Sequence, residues 1–373
     1  MKPLKPNPYP QTPEMKYIDE YRKKDLIISV AEKLKSISKK EIVLMEVCGG
    51  HTMAIQRFGL PSLLPSTIRL ISGPGCPVCV SSQHFIDLAM AYSKIPGVIV
   101  TTYGDLIRVP GSTTSLEKER ANGSDVRIIY SVLEALEIAQ KNPEKNIIFL
   151  GIGFETTAPL TAAAILEAKK NNITNFFVLS AHKVMPPVMK ALVEEGVKID
   201  GFIAPGHVTA ITGTAIYDEL ASVCGLGVVV AGFEPVDMMQ AILMLTAQIE
   251  SGAPKVEVQY QRVVHNDGNK IAQRMLSEVF ELRDDQWRGL GIIPKSGLKI
   301  REELSSFDAE KKFQVEVPES TEPKGCICGQ ILRGLKTPVD CGLFGKKCTP
   351  TDPVGACMVS GEGTCATYYK YRS

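Results

Sequence analysis

Short apolar runs, each closed by a Gly-, Pro- or Thr-rich turn and followed by a helical stretch, organise most of the chain. The runs fall at 42–47, 68–72, 97–101, 146–150, 175–179, 201–204 and 227–231. Continuous β-branched runs of this length, alternating with helices, predict buried parallel strands in βα units. Residues 15–38 predict an amphipathic helix. Ile18, Tyr21, Leu26, Ile27, Val30, Ala31 and Leu34 fall on one face and lysines on the other. Residues 256–264 alternate like one more strand, and a helix is expected over 268–281. From 283 onward the pattern gives way to polar connections, then to cysteines and glycines.

This pattern predicts an α/β fold: two Rossmann-like, doubly wound domains with parallel sheets, plus a C-terminal region without a large core of its own. The charged, turn-rich stretch 111–125 is the expected boundary. The expected parts are a proline-rich arm (1–14), a first α/β domain (15–125), a second (126–255) and a C-terminal region (256–373). The turn Gly153-Phe154-Glu155 recurs as Gly232-Phe233-Glu234, which suggests related positions in one sheet.

Composition narrows the function classes. A chain of 373 residues that is 44% hydrophobic and 22% charged buries real cores without disulfide staples. The net charge of +1 argues against a general binder of nucleic acid or anionic membrane. No apolar run approaches the roughly 18 residues of a membrane span. The N-terminal arm holds five prolines and no apolar h-region, so no secretory signal is expected and the protein reads as cytoplasmic. Ten cysteines are then the anomaly, because closely spaced cysteines in a reducing compartment bind metal or do redox work.

In open parallel sheets ligands bind beyond the carboxyl ends of the strands. The unusual residues sit right after the apolar runs: Cys48-Gly49-Gly50-His51-Thr52, Gly73–Cys79, Thr102–Asp105, Gly153–Pro159, Ala181-His182-Lys183 and Pro205-Gly206-His207. Cys76-Pro77-Val78-Cys79 is a C-x-x-C in a turn that opens a helix, where exposed amides favour the thiolate. Cys48 and His51 form a C-x-x-H after a separate run. Neighbouring strands bring these four groups together, either as a closed tetrahedral zinc site or as a soft sulfur site for iron. His51 is a ligand or a hydrogen-bonding partner.

The six remaining clustered cysteines are Cys326, Cys328, Cys341, Cys348, Cys357 and Cys365. Six exceeds the need of one tetrahedral metal. Four for a [4Fe–4S] cluster and two as a redox disulfide is an economical division, and the paired C-x-x-C knuckles of a zinc ribbon are missing. Cys224 stands alone and reads as a buried apolar group. Gly73-x-Gly75 is only a fragment of a dinucleotide fingerprint, and 342–346 lacks phosphate-loop spacing. Asp105, Glu155 and Glu234 are acid/base candidates whose default reading is helix N-terminal acids.

Taken in order, these motifs resemble the HypD family of [NiFe]-hydrogenase maturation factors. The matching segments add residues 102–111, 180–187 and the stretch Cys341…Cys348-Thr349-Pro350…Cys357-Met358-Val359-Ser360…Glu362-Gly363…Cys365, so the likeness spans residues 25–373. The resemblance implies a scaffold that assembles the Fe(CN)2CO group of the hydrogenase. It would work with the small chaperone HypC and take cyanide from HypE with HypF. It implies Cys48, Cys76 and Cys79 as the iron-handling, redox-active thiols, with His51 giving a proton or hydrogen bond. It also implies a [4Fe–4S] region similar to ferredoxin:thioredoxin reductase. Order analogy with that reductase assigns Cys326, Cys341, Cys348 and Cys357 to the cluster and leaves Cys328 and Cys365 as a redox pair. An iron–sulfur thiol/disulfide oxidoreductase acting on another substrate is the alternative, and a zinc-stabilised interaction protein the third reading.

Overall fold

The computed structural model describes residues 15–317 and 319–371. The arm expected at 1–14 lies outside the described residues. In chain order the strands are β1 (Ile42–Glu46), β2 (Ile68–Ser72), β3 (Val98–Thr102), β4 (Val126–Ile128), β5 (Asn146–Gly153), β6 (Phe176–His182), β7 (Gly201–Pro205), β8 (Gly227–Ala231), β9 (Val256–Val258), β10 (Phe280–Trp287) and β11 (Gly291–Ile300). One parallel sheet has the order β2-β1-β7-β8-β9 and the other β4-β3-β5-β6. Every residue of β1, β3, β7 and β8 is buried, as parallel strands covered on both faces require.

The sheets do not divide the chain at residue 125. β3 precedes that point but pairs with β4 and β5 beyond it, and β1 pairs forward with β7. The second sheet is therefore an insertion between two parts of the first. The stretch taken as a boundary carries the helix Leu116–Ala121 and leads into β4, whose Val126 pairs with Val100 of β3. Turn-rich composition marks a connection but does not say which sheet the next strand joins.

Three further expectations change. The first helix starts at Lys24, after a separate 3-10 turn at Asp19–Arg22, and buries only Ala31 and Leu34. Arg22 is drawn off that axis by its ion pair with Glu234. The strand begun at Val256 stops at Val258, because the chain turns at Tyr260 and brings Arg262 back to Asp237. After 280 the chain is not a run of connections. β10 and β11 form an antiparallel hairpin with a bulge between Arg283 and Asp285, and charged residues on its open face hid the alternation. The expected helix over 268–281 is present as Lys270–Val279.

Three apolar clusters hold these layers. One packs the helices Lys24–Ile37 and Pro235–Ser251 on the first sheet around Leu34, Leu44, Ile203 and Ile242. A second packs the helices Val132–Lys141 and Ala158–Lys170 and the hairpin on the second sheet around Phe149, Ile165 and Phe176. Each such side chain contributes about 1.5–3 kcal/mol by leaving water. The largest cluster lies between the sheets and includes Cys76, Cys79, Trp287, Cys328, Cys357 and Cys365, so the C-terminal cysteines share a core with the early ones.

Candidate thiol site

In the first sheet the chain runs from β1 to β2 on one side and later returns to β7 on the other. The strand order thus reverses beside β1, where open parallel sheets place their ligands. Cys48 leaves β1 at this point and forms the N-cap of the helix Gly49–Arg57. The backbone amides of His51 and Gly50 at the start of that helix favour its thiolate form. Burial nevertheless pushes the Cys48 thiol well above its ordinary value, and Glu362 and Glu46 act in the same direction. The helix terminus is outweighed by desolvation.

The loop after β2 crosses directly over Cys48. A Cβ on Gly75 would stand 2.2 Å from the Cys48 nitrogen and 2.4 Å from its Cα, so only glycine permits this crossing. The Gly75 carbonyl accepts from the Gly49 N–H at 3.3 Å. Cys76 and Cys79 follow at once, joined as a disulfide with their Cα atoms 5.2 Å apart. Pro77 opens the single turn Pro77–Val80, and the Cys79 N–H donates to the Cys76 sulfur at 3.2 Å. The sequence left the redox state of this pair open, and here the two sulfurs are bonded to each other.

Beneath the crossing lies Glu46, almost wholly buried. It accepts from the Cys48 N–H at 3.0 Å and from the Thr52 hydroxyl at 2.5 Å. Burial pushes its carboxyl up to about 8, against these hydrogen bonds and one from Ser72, so it is protonated at neutral pH. The His51 ring turns away from this network. It packs 4.9 Å from Phe233, and neither of its nitrogens has a hydrogen-bond partner. Burial, reinforced by His207, holds the ring down to about 3, so it is neutral.

The repeated turn serves two sheets rather than one. Gly153 ends β5, with φ +135°, and a Cβ there would meet Thr157 Oγ1 at 1.7 Å. Gly232 follows β8, and its Phe233 packs against His51 and His207. The acids diverge accordingly. Glu234 caps the helix Pro235–Ser251, as the default reading holds. Glu155 is not a helix cap. It is buried, accepts from the Met185 N–H at 2.9 Å and has its other oxygen unpartnered. Burial pushes it up to about 7. The Tyr217 phenol lies within electrostatic range of both Glu155 and Cys48, and desolvation raises it well above its usual value. Asp105 lies in turn close enough to Glu362 to raise that carboxyl further, after desolvation. The loops ending both sheets therefore converge on one region.

The six C-terminal cysteines also converge. The Cys326 and Cys328 sulfurs lie 3.1 Å apart, and Cys357 and Cys365 are close enough to Cys328 to influence its titration. Cys326 is held below the ordinary thiol value by the Cys328 hydrogen bond, while Cys328, Cys357 and Cys365 are raised. Cys341 and Cys348 line the same small pocket as Cys326, Cys328 and Cys365. Cys328 and Cys365 are neighbours, as a redox pair must be, but the geometry does not separate four ligands from two. A Cβ on Gly355 would stand 2.7 Å from both the Cys326 and Cys328 sulfurs, so this backbone forms a close cradle for them. That cradle and the all-thiol donor set fit an iron–sulfur group. Among the described residues no three His, Cys, Asp or Glu side chains are arranged to hold a metal ion. Cys224 lies apart and is half-buried rather than buried.

The two thiol regions are packed together. The helix Thr364–Tyr371, which carries Cys365, lies on the helix Gly49–Arg57, and a Cβ on Gly49 would strike Glu362 at 2.5 Å. The turn Pro77–Val80 packs against Ala356–Met358, which holds Cys357. Against this geometry the sequence comparisons are decisive: a family model described as HypD, hydrogenase formation hypA family, matches residues 24–372. The chain belongs to the HypD family. Its relatives include hydrogenase maturation factor HypD2 of Bradyrhizobium diazoefficiens, 47% identical over 96% of this chain and 97% of the relative. Hydrogenase maturation factor HypD of Cupriavidus necator matches with the same identity and coverage. A putative hydrogenase expression/formation protein of Methanocaldococcus jannaschii is 46% identical over 93% and 97%.

The cysteines that the fold brings together stand out in the sequence, whereas the buried polar groups around them do not. Glu46, Tyr217, Asp237 and Arg288 are buried polar groups inside apolar stretches or irregular segments. Glu46 and Asp237 had a visible signal, a charge within a run of otherwise apolar residues. No helix among the described residues is long and apolar enough to cross a membrane.

Proposed function

We propose that this family member is a cytoplasmic hydrogenase maturation scaffold. On this reading it holds iron on thiolates while the Fe(CN)2CO group is assembled, together with a HypC-type chaperone and with HypE and HypF as the source of cyanide. The observation that carries the reading is the crossing of Gly75 over Cys48, which sets the Cys48 sulfur and the Cys76–Cys79 pair in adjoining loops. Soft thiolates suit low-spin Fe(II) bearing cyanide and carbon monoxide, and three of them leave positions open for those ligands. Cys76 and Cys79 ligate only after the disulfide takes up two electrons and two protons to give two thiols, which then lose their protons on binding iron. Cys48 serves as third ligand or as thiol relay. His51, on the helix that Cys48 begins, is a neutral ring able to give or accept a hydrogen bond. Cys326, Cys341, Cys348 and Cys357 are assigned to a [4Fe–4S] cluster and Cys328 and Cys365 to a redox pair. When bound, the cluster supplies one-electron chemistry on the far side of the disulfide turn.

The test is an infrared spectrum of the protein isolated anaerobically after coexpression with HypC, HypE and HypF. Cyanide and carbonyl stretches are expected in the natural protein. They are expected to vanish in Cys76→Ala and in Cys79→Ala while C-terminal iron and sulfide stay unchanged. Stretches retained in both single variants overturn the thiol assignment. Active partners with no stretches in the natural protein turn the reading to an iron–sulfur thiol oxidoreductase.

A further inference from the structure

Arg288 is 4% exposed, and no carboxylate forms an ion pair with it among the described residues. It sits where the hairpin turns between β10 and β11. Its backbone N–H donates to the Val80 carbonyl at 3.0 Å, its Nε to the Ser81 carbonyl at 2.9 Å, and one terminal nitrogen to Gln83 Oε1 at 2.6 Å. The other terminal nitrogen is buried with no partner. The next residue, Gly289, lies against Gly329, where a Cβ would come within 2.3 Å of the Gly329 Cα. Gly329 follows Cys328 directly. Two backbones in contact thus hold the guanidinium between the loop that follows the Cys76–Cys79 disulfide and the C-terminal cysteines.

The titratable neighbours around Arg288 are Cys328, Glu322, Cys357 and Cys326. Glu322 is exposed, and its carboxylate accepts from the Gly289 N–H at 3.0 Å. Desolvation pulls the guanidinium below its ordinary value, yet arginine remains charged at neutral pH. A buried arginine without a carboxylate is a costly arrangement unless another anion meets it. An iron–sulfur group held by four thiolates is a net anion and carries the complementary need.

We propose that Arg288 is a positioning residue of the C-terminal site: its guanidinium neutralises the anionic iron–sulfur group that the cysteines hold and ties that group to residues 80–83 behind the disulfide. This rests on the reading of those cysteines as iron–sulfur ligands. A fixed positive charge at this place favours the reduced, more negative state of the group and so raises its potential.

The experiment is an anaerobic redox titration of the full-length, iron–sulfur-loaded protein. Arg288→Gln is expected to be at least tenfold harder to reduce at equilibrium, about 59 mV for one electron. Arg288→Lys, which keeps the charge, is expected to move less. Arg288→Gln with full iron and sulfide and the natural potential overturns the assignment. A second measurement needs no variant that must fold without the charge. In natural-sequence protein labelled with 15N-arginine, pulsed EPR of the reduced cluster is expected to show a nitrogen coupling that Arg288→Lys removes. No coupling overturns the assignment even where Arg288→Gln fails to fold. A natural protein free of iron and sulfide overturns the cluster reading and this inference together, whereas a loaded cluster indifferent to Arg288 overturns this inference alone.

Discussion

Replacing Glu46 with glutamine keeps the shape of a fully buried side chain and removes its titration. The folded carboxyl ionises at about 8, against an ordinary value of 4.5, chiefly because burial penalises the charged form. Between those limits the unfolded chain has released its proton and the folded chain has kept it. Glu46 therefore contributes stability that is fully present below pH 4.5 and is lost as pH rises through 8. The gap of 3.5 units, at about 1.4 kcal/mol per unit, is worth about 5 kcal/mol. Glutamine does not titrate, and its amide oxygen still accepts from the Cys48 N–H while the Thr52 hydroxyl reverses its role. Between pH 5 and pH 8 the stability difference between variant and natural protein is expected to swing by about 4 kcal/mol in favour of Glu46→Gln. Urea unfolding at pH 5, 6.5 and 8, followed by fluorescence of the lone tryptophan, Trp287, measures the swing. Parallel pH curves for the two proteins would refute a protonated carboxyl under Cys48.

Gly75→Ala is expected to force apart the loops that bear Cys48 and Cys76, since its methyl meets backbone at 2.2 Å. The loss should be at least the 1–3 kcal/mol of ordinary overpacking, and the cyanide and carbonyl stretches should go with it. Gly104→Ala, whose methyl meets only Ile128 at 3.7 Å, is the control, and equal thermal midpoints for the two variants would count against the crossing. Arg262→Met leaves the fully buried Asp237 without the guanidinium that pairs with it at 2.8 and 2.5 Å. It should cost about 3–5 kcal/mol in urea unfolding, with much of the loss recovered by adding Asp237→Leu. A double variant as unstable as the single one would contradict that account.

The strands were legible because burial on both faces writes itself as unbroken apolar runs, as in 227–231, which coincides with β8. β4 was missed because it is three residues long, and β10 because its open face alternates charge with burial. Pairing between strands was not legible. Nothing local in 98–102 says that β3 joins β5 rather than β1, since the partner is chosen by packing across the whole sheet. The site was readable at its cysteines, whose spacing is chemical, and unreadable at Glu155, whose burial depends on the distant Met185 amide. Cys48 shows the same limit from the other side: its place at the end of an apolar run was plain, but not the desolvation that raises its thiol.

The insertion of one sheet into the other orders events during synthesis. The strands of the second sheet lie contiguously between residues 98 and 182, so that sheet is complete while the ribosome is still making the rest. β1 and β2, with the loops bearing Cys48, Cys76 and Cys79, must wait for β7 to β9 before they are enclosed. Phe233 then closes over His51, and Cys357 and Glu362 arrive last of all against the disulfide turn and Gly49. Nascent chains thus pass through a stage in which the early thiols are translated but unroofed, and a finished thiol pocket certifies that residues as distant as Cys357 and Glu362 have joined the fold.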